Sequence, residues 1–176
     1  VIEQVGKVDV VAFDKTGTLT HGKPVVQEVI CLNELHQDEL LTLAASAERF
    51  SEHPIGKSIV QALGTRGLPL REPQEFKVLP GYGVTALIGE HRVVMGNRAL
   101  LTEHDIDWSG GLDSQVVGIE NMGNTVIPVA VNGRVAGLIT LADTPRPEAK
   151  GAIAELKRLG IQQVIMITGD NPLTAA

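Results

Sequence analysis

The sequence predicts an α/β fold: an incomplete parallel-sheet domain interrupted by an inserted α+β domain. Three observations predict it. Val8–Phe13 is a nearly continuous apolar run, the mark of a strand buried on both faces of a parallel sheet, and Gln163–Thr168 is a second such run. Between them, Thr125–Val131 and Val135–Leu141 flank Asn132-Gly133, a strong signal for an antiparallel hairpin. The composition shifts back towards helix–strand spacing at "DTPRPEA". Residues 1–22 and 139–176 therefore read as the two segments of the parallel domain. Residues 23–138 read as the insertion, an antiparallel sheet flanked by helices.

Each element has its own reason. Asp38–Phe50 and Pro54–Leu63 carry helical spacing, with Leu40, Leu41, Leu43, Ala44 and Ala47 forming the first apolar stripe. Pro54 suits a first helical turn, where its missing N–H costs nothing. Glu75–Leu79, Val84–Ile88 and Arg92–Met95 are short strands, the last two joined by a Gly89-Glu90-His91 turn. Asn97–Glu103 is a short helix, and Trp108–Gly123 holds another helix or a loop. Pro147–Leu159 is a helix closed by Gly160.

Bulk properties exclude several functions. Net charge is −6, which argues against non-specific attachment to nucleic acid or anionic lipid. Aromatic residues make up 3% of the chain, too few for base-stacking platforms. Any anionic ligand must then be held by local amides or a few cations. Cys31 is the single cysteine, so neither an intrachain disulfide nor a CxxC metal site exists. The longest apolar stretches are about half of what spans a bilayer, and no signal-peptide pattern opens the chain, so the expectation is a soluble piece. Val1 and the ending "GDNPLTAA" suggest a piece of a longer polypeptide.

Two strings imitate nucleotide motifs. Gly81–Ala86, "GYGVTA", matches the dinucleotide pattern, with Glu103 about 20 residues on. That fingerprint needs a helix directly after its glycines, whereas alternation from Val84 predicts a hairpin. "SEHPIGKS" at Ser51–Ser58 has P-loop spacing apart from its first glycine, but it follows a helix and contains His53, Pro54 and Ile55. Neither is the motif that it imitates.

The candidate centre is "AFDKTGTLTHGKP". Asp14 ends the first apolar strand, where open α/β sheets place their ligands. The following turn offers backbone N–H groups and the hydroxyls of Thr16 and Thr18 as an anion cradle. A carboxylate there is a poor phosphate binder but a suitable nucleophile, forming an acyl phosphate. Lys15 can offset phosphate charge, and Mg²⁺ can bridge Asp14, a phosphoryl oxygen and the Thr16 carbonyl. A lone Asp in this position would simply cap a turn; the surrounding string is what argues otherwise.

"DKTGTLT" resembles the phosphorylation motif of P-type ATPases, whose phosphorylation domain is haloacid-dehalogenase-like. Soluble relatives often carry a second, general acid–base Asp where this chain has Thr16, so the motif favours a pump over a simple phosphatase. "SEHP", with Glu48 five residues before His53, then "GYG" and "MGN", resemble the nucleotide domain of the heavy-metal (P-IB) subgroup. The resemblance implies that Glu48 and His53 contact adenine and that Gly81, Gly83, Gly96 and Asn97 line the nucleotide cleft. "DTPRP" and "TGD" resemble the return into the phosphorylation domain. Thr168 would contact the transferred phosphoryl, Gly169 and Asp170 would belong to the nucleotide and Mg²⁺ side, and Asp143 and Arg146 would sit at the hinge. On residue type alone, Asp143 could equally be a helix N-terminal acid.

The resemblance implies ATP and Mg²⁺ as cofactors. It also implies membrane and actuator domains elsewhere in the same polypeptide, and a location on the cytoplasmic side of an integral membrane protein. This piece would bind nucleotide and phosphorylate itself poorly, since the family's later lysine and acidic Mg²⁺ site lie outside it. A soluble phosphatase or phosphotransferase with a cap domain is the alternative.

Overall fold

The computed structural model describes residues 8–108 and 110–167. In chain order the elements are β1 (Val10–Asp14), a π-helical turn (Lys15–Leu19), β2 (Thr20–Cys31), α1 (Gln37–Ala47), α2 (Pro54–Thr65), β3 (Glu75–Leu79), β4 (Gly83–Ile88) and β5 (His91–Gly96). There follow α3 (Arg98–Glu103), α4 (Leu112–Glu120), β6 (Thr125–Val131), β7 (Arg134–Pro145), α5 (Pro147–Arg158) and β8 (Gln163–Ile167). The chain divides into two units: residues 1–23 with 143–176, and residues 24–142.

In the first unit β1 and β8 pair in parallel, from Val10 opposite Gln163 to Asp14 opposite Ile167. The N–H groups of Gln162 and Gln163 both donate to the Asp9 carbonyl, at 2.9 and 3.0 Å, and set the register. Parallel strands need a crossover, and α5 lies in that connection. Pro147 opens it, Glu148 complements its N-terminus, and Lys157 and Arg158 complement its C-terminus.

The second unit is built on a sheet ordered β2-β7-β6-β5-β4-β3, with antiparallel pairing from β7 through to β3. Alternation sorts its side chains onto two faces. Val93 and Met95 face a core made with α1 and α2, together with Leu43, Ile59 and Leu63. Val94 and Ala130 face the opposite side, where Leu100, Leu101 and Ile106 cover them. Among the described residues no helix is long and apolar enough to cross a membrane.

Several elements depart from their sequence patterns, among them β7, which runs on to Pro145 instead of ending at Leu141. β2 starts at Thr20 and runs through Gly22 and Pro24, residues that read as a turn. It survives because β2 is an edge strand, where a proline need not interrupt a ladder. Helix α1 stops at Ala47, short of Phe50. Its end tightens through Arg49 N–H to Ser46 O (3.3 Å) and Ser51 N–H to Glu48 O (2.9 Å). Glu48 thereby leaves the helix and lies in the α1–α2 connection.

Candidate functional site

Asp14 is the exposed last residue of β1. The chain then closes into the π-helical turn, a geometry that occurs mostly as single turns and often at functional sites. Thr20 locks it. The Thr20 hydroxyl accepts from Gly17 N–H (3.2 Å) and lies within reach of both Lys15 O (3.0 Å) and the Asp143 carboxylate. Asp143 also accepts from the N–H groups of Gly22 and Lys23, each at 3.2 Å. Arg146 completes the clamp. Its backbone N–H donates to Leu19 O (2.8 Å), Nε to Thr20 O (3.0 Å) and Nη2 to Gly17 O (3.1 Å).

Asp143 is therefore not the N-terminal acid of α5, a place taken by Glu148. It holds the turn behind Asp14 from 123 positions away in sequence. No local pattern could have revealed that pairing, because Thr and Asp are common residue types and these two lie far apart in sequence. The Thr16 side chain and Thr168, Gly169 and Asp170 lie outside the described residues.

The second cluster lies in residues 24–142. The N–H of Ile55 donates to His53 Nδ1 (3.3 Å), which makes His53 the N-cap of α2. With Nδ1 accepting, the ring proton sits on Nε2, so the exposed ring offers a donor there. Glu48 is 8% exposed, and its Oε2 has no hydrogen-bond partner. Burial raises its pKa above the ordinary carboxylate value, against the lowering effects of the Ser51 side chain and the nearby His53. Sequence reasoning passed over Ser51 as a Glu48 partner, although its place three residues along the same turn was the available signal. One buried acceptor and one exposed donor thus flank the start of α2.

The glycines divide by role. Gly83 and Gly96 are directly opposed in the β4–β5 ladder. A Cβ on Gly83 would fall 2.0 Å from Met95 O, and one on Gly96 would fall 2.1 Å from Tyr82 O. Their smallness is needed for backbone packing. Gly81, at a φ of +79° that favours glycine, faces open space. Asn97 spends its amide within the protein: Oδ1 accepts from Leu100 N–H (3.0 Å) and Nδ2 donates to Gly81 O (2.9 Å). The rejected "GYGVTA" string runs into β4, which pairs with β5. The "SEHPIGKS" string spans the start of α2 after a preceding helix.

Among the described residues no group of three or more His, Cys, Asp or Glu could hold a metal. Mg²⁺ needs no such group, since it commonly binds one or two carboxylates and completes its shell with phosphate and water. Asp14 and the Thr16 carbonyl are of the required kind.

An acid at a parallel strand's end, a clamped turn behind it and an inserted domain define the haloacid dehalogenase-like architecture. The haloacid dehalogenase-like hydrolase family matches residues 8–176, and the chain belongs to it. Within that class it matches the catalytic region of heavy-metal P-type ATPases. It is 40% identical over 174 residues to a copper-exporting P-type ATPase of Staphylococcus epidermidis, covering 99% of this chain and 21% of that protein. A zinc-transporting PIB-type ATPase in an E2.Pi state aligns with TM-score 0.80 and 36% identity, over 99% of this chain and 28% of that one. The catalytic domain of a CPx-ATPase, solved in a study of its changes upon nucleotide binding, aligns with TM-score 0.71 and 28% identity, over 97% of this chain and 58% of that one. The chain spans about a fifth of the length of the curated relatives that it matches.

Proposed function

We propose that this chain is the nucleotide-binding and phosphoryl-accepting part of a heavy-metal-exporting P-type ATPase, on the cytoplasmic side of an integral membrane protein. Residues 24–142 form its nucleotide-binding domain. The transmembrane and actuator parts belong to the same polypeptide, in keeping with the share of each relative that the chain spans. The observation that carries the reading is the buried, unpartnered Glu48 Oε2 close to the His53 donor. An orphaned buried acceptor is costly until a donor arrives. Adenine supplies one: its exocyclic amine donates beside a ring nitrogen that accepts. The pair Glu48 (acceptor) and His53 Nε2–H (donor) complements that edge. Guanine presents an oxygen where adenine has the amine, and that oxygen would meet the Glu48 carboxylate acceptor to acceptor.

In the intact pump, a carboxylate oxygen of Asp14 attacks the γ-phosphorus of ATP, the bond to the β-phosphate oxygen breaks, and ADP leaves. Mg²⁺ held by Asp14 and the Thr16 carbonyl would neutralise phosphate charge. Lys15 offsets further charge, and Asp143 and Arg146 hold the turn rigid behind the nucleophile. By the resemblance, Thr168 contacts the transferred phosphoryl and Gly169 and Asp170 complete the nucleotide side, while Gly83, Gly96 and Asn97 shape the backbone of the nucleotide domain. Thr16, standing where soluble phosphatases often carry a second Asp, leaves the acyl phosphate without a general base, as suits an intermediate that must outlive a conformational change.

Calorimetric titration with ATP, AMP and GTP tests the reading, beside His53→Gln. The expected result is binding of ATP and AMP, weaker binding of GTP, and a loss of about tenfold in the variant for one charge-neutral base contact. Equal affinity for ATP and GTP, or indifference to His53, would sink it and favour a soluble phosphotransferase with a cap domain.

A further inference from the structure

Resting on that nucleotide-site reading, we propose that Asn97 is a positioning residue: it straps the Gly81–Gly83 turn to the start of α3, without touching the nucleotide. Both ends of its carboxamide are already engaged, at 3.0 Å to Leu100 N–H and 2.9 Å to Gly81 O. Those partners dictate its orientation, because an N–H must meet the oxygen and a carbonyl must meet the nitrogen. Its backbone N–H donates to Tyr82 O at 2.8 Å. One residue thus holds two successive carbonyls of the turn and caps a helix.

The surrounding packing makes this a latch. A Cβ on either Gly83 or Gly96 would come 2.9 Å from Leu100 Cδ2, so Leu100 lies over both opposed glycines. The same Leu100 supplies the N–H that Asn97 caps. Helix α3, the β4–β5 end and the turn therefore share one fixed geometry. Gly81 has left-handed backbone and no other side chain against it. The Asn97 amide fixes the Gly81 carbonyl, and with it the backbone of the turn.

The test is Asn97→Ser, whose hydroxyl can still cap Leu100 N–H but is too short to reach Gly81 O. Asn97→Asp, with the cap retained and the strap donor lost, is the second variant should the first fold poorly. Amide NMR is recorded without ligand, and affinities are measured for adenosine and ATP. The expected result is protection at Leu100 unchanged, shifted and faster-exchanging amides at Gly81–Gly83, and about three- to tenfold weaker binding of adenosine and ATP alike. A turn left undisturbed while affinity falls would make Asn97 a direct ligand contact and overturn the proposal. A disturbed turn with unchanged affinity would overturn it too. A wild-type chain that binds neither compound refutes the nucleotide site itself, and the ligand-free amides alone then decide whether the strap exists.

Discussion

The two units hold themselves together by different physics. Every fully buried hydrophobic side chain among the described residues lies between Val29 and Leu141, within the unit that carries Glu48 and His53. Among its described residues, the unit that carries Asp14 buries no apolar side chain to that degree. Val10, Ile165, Met166 and Ile167, all on its β1–β8 pair, are each more than a third exposed. Parallel strands are ordinarily covered on both faces, and a two-stranded sheet by itself is marginal. What fixes the turn after Asp14 is a polar clamp, Thr20 with Asp143 and Arg146. The proposed nucleotide half is thus organised by its core, and the proposed phosphoryl-accepting half by hydrogen bonds between chain segments far apart in sequence.

The largest test of that contrast is a pair of truncations. Leu43 is fully buried in the main core, and Leu43→Ala should cost about 3 kcal/mol, the usual cost of a core cavity. Ile165→Ala should cost under about 0.5 kcal/mol, as for exposed positions. Urea unfolding followed by Trp108, the single tryptophan, reports the first directly. Loss of protection at the Gln163 amide, which donates to Asp9 O, reports the second. Similar costs at both positions would erase the distinction.

Next in size is the polar clamp. Asp143→Ala removes the acceptor of the Gly22 and Lys23 N–H groups and of the Thr20 hydroxyl. Hydrogen bonds to a carboxylate contribute about 1.5–3 kcal/mol together with the cost of stranded donors, lessened here by partial exposure. Gly22 and Lys23 amides should exchange at least about tenfold faster, while the Trp108-detected transition stays where it was. A shift of that transition would mean that the clamp also supports the core.

Much of this was legible in advance, for identifiable reasons. The parallel strands, the antiparallel insertion and the start of α2 at Pro54 follow from periodicity and from proline and glycine punctuation, which act over a few residues. The family was legible because "DKTGTLT" places several chemically distinct residues in fixed order. The extent of β2 was hidden, since Gly22 and Pro24 signal a turn and only an edge position makes them tolerable. Asp143 was hidden because its partners lie more than a hundred residues away. The separate roles of Gly81, Gly83 and Gly96 were hidden as well. Glycine reads the same in a string whether it faces open space or another backbone, and only the opposed register distinguishes them.

The smallest effect sharpens the contrast from inside the well-packed unit. Glu48 is a polar liability in the packed unit, buried with one oxygen unpartnered and its pKa raised by desolvation. A carboxyl whose folded-state pKa lies above its unfolded value binds its proton more tightly when folded. The stabilisation of the protonated form is therefore fully present below the ordinary carboxylate range and lost as pH rises through the raised value. Glu48→Gln carries no charge to desolvate, so the unliganded chain should gain about 1 kcal/mol at neutral pH and lose part of its pH dependence below it. Thermal unfolding of both proteins across mildly acidic to neutral pH checks the sign. If adenine's amine donates to this oxygen, binding favours the ionised carboxylate, so ATP affinity should fall with pH in the wild type and stay flatter in the variant. A variant that is less stable at neutral pH yet binds ATP normally would mean that Glu48 serves the fold, and that the orphaned oxygen has no ligand to meet.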